Sequence, residues 1–121
     1  MAKMKQKKFK VAIGYPPIKS DKGVPLLSQN RQFQYFNAPT FIYPMVPAYA
    51  ASLVQSKGYD VVWMDGIAEK KTLSEWFTQL RKEKPDLLMI EAKTPVIKIY
   101  WETIKKIKTK FPDLIVVIVG D

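Results

Sequence analysis

The feature that most constrains the fold is a short apolar run at residues 87–90 with a proline on each side. Pro85-Asp86 precedes the run, and a polar turn that ends in Thr94-Pro95 follows it. A brief, nearly continuous apolar run between breakers is typical of a buried parallel strand. Thr94 is suited to the N-cap of a following helix and Pro95 to its first position. The stretch therefore predicts a strand that leads directly into a helix.

The same alternation of strand and helix patterns continues along the chain. Strands are predicted at residues 9–14, 59–64 and 113–119, besides the one at 87–90. A helix is predicted after each of the first three strands, at residues 48–57 with residues 44–47 leading into it, from Thr72 onward, and from Pro95 onward. Strict alternation predicts an α/β fold with a parallel sheet, helices on both faces and right-handed crossovers. We expect sheet order 2-1-3-4, with the 87–90 strand beside the first.

Two of the predicted helices have a clear buried stripe. In the second, Thr72 and Glu75 fit a capping box, and apolar residues recur at helical spacing. Its predicted core residues are Leu73, Trp76, Phe77 and Leu80. In the third, the inward residues are predicted to be Ile97, Tyr100, Trp101, Ile104 and Ile107, and the outward ones Lys98, Glu102, Lys105, Lys106 and Lys108.

Two segments lie outside the alternation. Residues 1–8 are a lysine-rich tail that we expect to be flexible, and residues 15–44 are a long connection. This connection holds an aromatic cluster of Phe33, Tyr35, Phe36, Phe41 and Tyr43. Such a loop can be a functional lid or can cover one end of the sheet, and both interpretations stay open. The 121 residues are expected to form a single domain.

Composition excludes several classes of site. The chain has no cysteine and no histidine, so it supplies no disulfide, thiolate metal site, imidazole base or Ser-His-Asp arrangement. No run is apolar enough for a signal peptide or membrane span, so we expect a cytoplasmic protein. The net charge of +9 comes almost entirely from lysine, with Arg31 and Arg81 the only arginines. This pattern favours a solvated surface over nucleic-acid binding.

Ligands of open α/β sheets bind beyond the carboxyl ends of the strands. The loops there are predicted at residues 14–17, 65–66, 91–95 and 120–121. They contain no glycine-rich dinucleotide turn, no hydroxyl-rich phosphate loop and no acidic cluster. Asp65 is interpreted as a turn residue, and the single carboxylate of Glu91 does not specify a reaction. The loops therefore predict a binding fold without a complete catalytic set and without a protein-held metal.

A series of short motifs resembles one known family. In order they are Tyr-Pro-Pro at 15–17, Pro-Met-Val-Pro-Ala-Tyr at 44–49, Lys-Gly-Tyr-Asp-Val at 57–61, Met-Asp-Gly at 64–66, Lys-Pro-Asp-Leu at 84–87 and Thr-Pro-Val-Ile at 94–97. Together they resemble the N-terminal cobalamin-binding domain of B12-dependent radical SAM proteins. The resemblance is especially close to the branch that includes the anaerobic magnesium-protoporphyrin cyclases. The resemblance spans residues 10–121.

The resemblance implies a flavodoxin-like or Rossmann-like three-layer sandwich with cobalamin across the strand ends. Thr94 is expected to donate its hydroxyl to the nucleotide tail or a corrin amide, or to act as the helix N-cap alone. The absence of histidine implies cobalt without a protein imidazole. By position, the residues expected near the cofactor are Tyr15, Pro16, Pro17, Met45, Val46, Pro47, Asp65, Gly66, Glu91, Thr94, Pro95 and Gly120.

The family pattern also predicts what lies beyond these residues. We expect the chain to be a fragment that lacks a fifth strand and a C-terminal barrel, which would hold the [4Fe-4S] cluster and S-adenosylmethionine. On its own the chain would bind cofactor and not catalyse. Its partners would be that barrel and, through the exposed fourth strand, a second copy in a strand-edge homodimer. The alternatives are a docking domain of the same kind of enzyme with no cofactor, and a basic nucleic-acid-binding domain.

Overall fold

The computed structural model describes residues 7–27, 33–37 and 43–120. The strands are β1 (Lys10–Tyr15), β2 (Val24–Pro25), β3 (Tyr35–Phe36), β4 (Asp60–Asp65), β5 (Leu87–Ala92) and β6 (Ile115–Gly120). The helices are α1 (Met45–Ser56), α2 (Leu73–Glu83) and α3 (Ile97–Lys110), and a 3₁₀ turn over Thr94–Val96 precedes α3. No helix in these ranges is long and apolar enough to cross a membrane.

The long strands form one parallel sheet in the order β4-β1-β5-β6. This order confirms the predicted 2-1-3-4 arrangement and a flavodoxin-like or Rossmann-like α/β fold. β1 is central because it pairs with both β4 and β5. Asp86 fixes the start of β1, since its carboxylate accepts a hydrogen bond from the Lys10 amide at 2.8 Å. The Asp86 amide in turn donates to the Lys10 carbonyl at 2.8 Å.

One face of the sheet carries the main core. Side chains alternate along a strand, and Ala12, Leu88 and Ile90 pack on this face with residues of α2 and α3. Trp76 and Tyr100, one from each of those helices, are fully buried. Val11 and Ile13 point to the opposite face, where α1 lies over β1 and β4. The layers are thus α1, the sheet, and the α2–α3 pair.

The sequence signals of α2 are confirmed at its N-terminus. The Thr72 side chain accepts a hydrogen bond from the Glu75 amide at 3.1 Å, as an N-cap does. Trp76, Phe77 and Leu80 are buried, as the stripe predicts. The helix ends at Lys84, which has the left-handed conformation usually taken by glycine, with φ 48° and ψ 55°.

The prediction for Trp101 in α3 is wrong. Its side chain is 52% exposed, whereas Tyr100 and Ile107 are fully buried. Trp101 follows Tyr100 directly, so it is turned about 100° away around the helix axis and points off the buried stripe.

The long 15–44 connection is partly described. It contributes a small antiparallel ribbon in which Val24 pairs with Phe36 and Pro25 with Tyr35. Leu27 from this connection is buried in the main core, and Phe33 and Tyr35 pack against it. These contacts favour the covering interpretation for the described part. Phe41, Arg31, Asp121 and most of the predicted tail, residues 1–6, lie outside the described residues.

Candidate functional site

The fold brings all the predicted site residues to one edge of the sheet. Parallel strands end on the same side, so the residues after β1, β4, β5 and β6 meet there. The first turn of α1 lies at this edge too, because a helix that connects two parallel strands runs back along the sheet from their carboxyl ends. Strand order reverses between β1 and β5, which is where open α/β sheets have their ligand crevice. We call this side of the sheet the carboxyl edge.

The part of the carboxyl edge between β1 and β4 is closed by tight packing. The Gly66 amide donates to the Tyr15 carbonyl at 2.8 Å. A Cβ on Gly66 would lie 2.7 Å from Pro17 Cδ and 2.9 Å from Trp76 Cδ1, so only glycine fits. The Trp76 ring is itself fixed by a hydrogen bond from its Nε1 to the Met64 carbonyl at 3.2 Å. Gly66 and Pro17 therefore support the edge and do not face a ligand in this conformation.

Tyr100 connects the opposite helix layer to the β1 loop. Its hydroxyl donates a buried hydrogen bond to the Pro16 carbonyl at 3.0 Å, and burial raises its pKa well above the usual value. The two residues are 84 positions apart, so no local pattern indicated this contact. Tyr100 was predicted only as a core residue, yet it fixes the loop that borders the candidate site.

Asp65 closes the turn after β4. Its Oδ1 accepts hydrogen bonds from the amides of Ile67 at 3.1 Å and Ala68 at 3.0 Å, which confirms the turn interpretation. The residue is buried, and this burial raises the pKa of its carboxyl group, although the two amide hydrogen bonds act in the other direction. Asp65 thus stabilises the turn that forms this part of the carboxyl edge.

Tyr15 is the most unusual residue of the edge. Tyr15 pairs with Asp65 of β4 in the sheet register. On the other side of β1, Gly14 pairs with Ile90 of β5, and Glu91 is the next residue of that strand. Burial raises the pKa of Tyr15, and the negative charge of the nearby Glu91 carboxylate adds to the effect. The residue is 2% exposed, and its hydroxyl lies beside the Glu91 carboxylate without a hydrogen bond of good geometry in the described residues. A buried hydroxyl that is poorly satisfied costs free energy, which makes it a candidate donor to a ligand.

The part of the edge between β5 and β6 is open. A cleft of about 180 Å³ lies there, between the strand ends and the start of α3. Ala92, Lys93, Thr94, Ile97, Ile118, Val119 and Gly120 line it. Gly120 has a φ of +119°, and a Cβ at this position would lie 2.1 Å from the Ala92 carbonyl oxygen. A glycine is therefore required where the cleft meets β6.

Thr94 and Pro95 are exposed at the mouth of this cleft. The prediction that Thr94 caps the helix is wrong, because Lys93 precedes the 3₁₀ turn as its cap and no side chain makes a cap hydrogen bond there. The turn begins one residue earlier than the sequence suggested, since Pro95 is tolerated inside its first positions. The Thr94 hydroxyl is thereby released from the capping role.

The remaining predicted residues divide between surface and interior. Met45 and Val46 are exposed on the first turn of α1, and Pro47 beside them is fully buried. Glu91 is half-buried on the β5 strand. Lys93, Ile97 and Val119 line the cleft but were not predicted as site residues. Lys93 lies inside the 91–95 turn, so its position alone could have indicated it.

A second and larger groove lies at the opposite edge of the sheet. It measures about 510 Å³ and is bordered by Phe9, Asp86, Phe111 and Leu114, among others. This edge holds the amino ends of the strands, where parallel sheets do not usually bind ligands. Residues of this groove therefore serve as the control in tests of ligand binding at the carboxyl edge.

Among residues 7–27, 33–37 and 43–120, no group of three acidic, histidine or cysteine side chains is placed to hold a metal ion. Comparisons of this chain with protein-family models, with curated proteins and with solved structures find no match.

Proposed function

We propose that this chain is a cobalamin-binding module of a radical SAM enzyme. One observation carries the proposal. In the parallel sheet, the Tyr15–Pro17 turn and the 91–95 turn lie at the carboxyl edge, on the two sides of the strand-order reversal. This is the position at which open α/β sheets bind large flat cofactors.

The exposed residues of the edge would contact the cofactor, and the buried ones would hold them in place. Thr94 offers a free hydroxyl for a corrin amide or the nucleotide tail, and Met45 and Val46 offer apolar surface. Gly120 lets the backbone approach closely. The open cleft of about 180 Å³ is smaller than typical cofactor pockets of roughly 300–1,000 Å³, so the corrin would lie across the edge.

The chemistry of the edge fits a cobalamin that has no protein ligand to cobalt. The chain has no histidine and no cysteine, so it supplies neither an imidazole nor a thiolate. The Tyr15 hydroxyl makes no hydrogen bond of good geometry in the described residues, so it would be available to an amide acceptor of the cofactor if the end of β1 moved slightly. When bound, cobalamin supplies methyl-transfer or related radical chemistry. The chain itself would bind and orient the cofactor.

The proposal includes a partner domain. A C-terminal barrel with a [4Fe-4S] cluster and S-adenosylmethionine would carry the reaction of the parent enzyme in the cytoplasm. Residues of the barrel, and not those of this edge, would determine the substrate of that reaction.

Cobalamin retention tests the proposal. The chain is mixed with excess hydroxocobalamin, free cofactor is removed by gel filtration, and the visible spectrum is recorded. We expect about one corrin per chain for the wild type and a loss of at least tenfold in affinity for Thr94→Arg, whose long cation would occupy the cleft mouth. Thr109→Arg is the matched control, because Thr109 is exposed on α3 away from the edge.

Retention by wild type and Thr109→Arg, but not by Thr94→Arg, supports the proposal. Absence of corrin absorption in every sample, including a longer chain that contains the downstream domain, would contradict it. Equal retention by the two variants would place any binding away from the carboxyl edge.

One observation favours a second candidate, a docking domain of the same kind of enzyme with no cofactor. Tyr15 is packed into the core, so its ring fills part of the edge where a ligand could enter. Tyr43 and Met45 are exposed and leave the remainder open. This candidate predicts that purified barrel domain binds the chain with the same affinity whether or not hydroxocobalamin is present.

A further inference from the structure

α1 has an apolar surface that points away from its own sheet. None of its twelve residues is charged. Pro47 is buried beneath the helix, whereas Val46, Tyr49 and Leu53 are 72%, 70% and 60% exposed. A surface helix normally directs charged or polar residues outward. An outward stripe of this kind indicates a surface that contacts another macromolecule.

The sheet beside α1 is also apolar and exposed. Val116 packs with the core on the α2–α3 side, so alternation directs Ile115, Val117 and Val119 of β6 to the α1 side. All three side chains are large, apolar and exposed, and Ile115 is 51% exposed. α1 lies over β1 and β4, and within the described residues no helix covers β5 and β6 on that side.

We propose that a second copy of this chain binds here. We define the apolar face as Val46, Tyr49 and Leu53 of α1 with Ile115, Val117 and Val119 of β6. A projecting helix and a bare strip of sheet lie side by side on it. A two-fold axis between them would place α1 of each copy on β5 and β6 of the other, which is the self-complementary contact of a symmetric dimer.

The size of the apolar face agrees with this arrangement. Tyr49 offers on the order of 150 Å² of exposed surface, and the five aliphatic residues, which are 36–72% exposed, on the order of 60–100 Å² each. Together they supply more than half of the roughly 800 Å² that each partner buries in a typical specific interface. Polar residues around the face would supply the remainder.

Charge also permits contact between two copies at this face. The chain carries a net charge of +9, and two such chains repel each other wherever their lysines meet. The cationic residues of α2 and α3 lie on the other side of the sheet, while α1 has none. The α1 side, where the helix itself has no charge and Lys57 stands at its C-cap, is thus the one on which self-association meets the least repulsion. This inference does not rest on cobalamin binding.

Analytical ultracentrifugation over about 1–200 µM protein tests the proposal, a range that brackets a micromolar dissociation constant. We expect wild type to reach twice the 14.0 kDa monomer mass. Tyr49→Lys/Leu53→Lys should raise the dimer dissociation constant at least 100-fold, since two central apolar contacts become charges. Trp101→Lys is the control, because it removes an exposed large side chain from α3 on the opposite side. It should leave the dimer unchanged.

Circular dichroism of each variant confirms that the fold is kept. A wild type that stays monomeric at 200 µM would overturn the proposal, since a dimer with a micromolar dissociation constant would form at that concentration. A double variant that dimerises as wild type does would overturn it too, and would indicate pairing through the free edge of β6.

Cross-linking locates the contact, because the chain has no cysteine of its own. Chains carrying Leu53→Cys are mixed with chains carrying Val117→Cys or Ile118→Cys and oxidised gently. We expect a disulfide between different chains with Val117→Cys and little with Ile118→Cys, whose side chain points to the other face. Equal yields would contradict the proposed arrangement.

Discussion

At the scale of single residues, Asp65 shows how a buried carboxylate can serve the fold at the candidate site. Its Oδ1 holds the turn through two amide hydrogen bonds, while its burial disfavours the charged form. The turn needs the acceptor oxygen and does not need the charge. The two requirements can therefore be separated by substitution.

Asp65→Asn should keep the turn and remove the contribution of Asp65 to the pH dependence of the free energy of unfolding. Burial raises the pKa of the folded state above its unfolded value, so the folded state holds the proton more tightly. The contribution of Asp65 to the free energy of unfolding therefore rises as pH falls from above the folded pKa to about 4, near the unfolded pKa. Asparagine keeps the acceptor and abolishes this rise, without loss of stability at pH 7.

Asp65→Ala should have a free energy of unfolding about 1–2 kcal/mol lower than that of Asp65→Asn at every pH, because both amides lose their acceptor and neither variant titrates at this position. Urea denaturation of both variants and wild type at several pH values makes the comparison. If Asp65→Asn were as destabilised as Asp65→Ala at pH 7, the charge itself would be needed and the account of the turn would be wrong.

Residues of the edge differ in how far the sequence could indicate them. Asp65 was predicted as a turn residue from the Asp-Gly pair after a strand, which is a local signal. The hydrogen bond from Tyr100 to Pro16 was not, because it joins two layers that only the complete fold brings together. The surroundings of the Tyr15 hydroxyl likewise depend on neighbours from three strands, and no sequence pattern predicts such surroundings.

At the scale of elements, local signals predicted most of the sheet and helices. The apolar run in β5, the Thr72 cap of α2 and the alternation of strands with helices depend on neighbouring residues, and each is confirmed. Trp101 was wrongly predicted to be buried because it is a large apolar residue next to the buried stripe of α3. Lys98 and Lys105, three and four residues away, share its helix face and were the available sign of exposure.

The C-terminal end of α2 offers a test at this scale. Lys84 has a left-handed backbone that costs a non-glycine residue free energy, so Lys84→Gly should stabilise the protein by about 0.5–1 kcal/mol. Lys82→Gly is the matched control within the helix and should destabilise it by about 1 kcal/mol. Thermal and urea unfolding measure both. A destabilised Lys84→Gly would show that the Lys84 side chain contributes more than its backbone costs.

At the scale of the whole molecule, the surface is divided by chemistry. The carboxyl edge combines a rigid, buried part at β1 and β4 with an open part at β5 and β6. The α2–α3 side carries the lysines, and the α1 side carries the apolar face. A cofactor at the edge and a second copy on the apolar face use adjoining surfaces, with Val46 and Val119 common to both.

The location of bound cobalamin tests the central claim most directly. A ¹⁵N-labelled sample is titrated with hydroxocobalamin, and amide shifts are followed by NMR. We predict saturable shifts at Tyr15, Lys93, Thr94 and Gly120 on the carboxyl edge. Amides at the opposite groove, such as Asp86, Phe111 and Leu114, should stay unchanged. Shifts confined to that groove, or none at cofactor excess, would contradict the account.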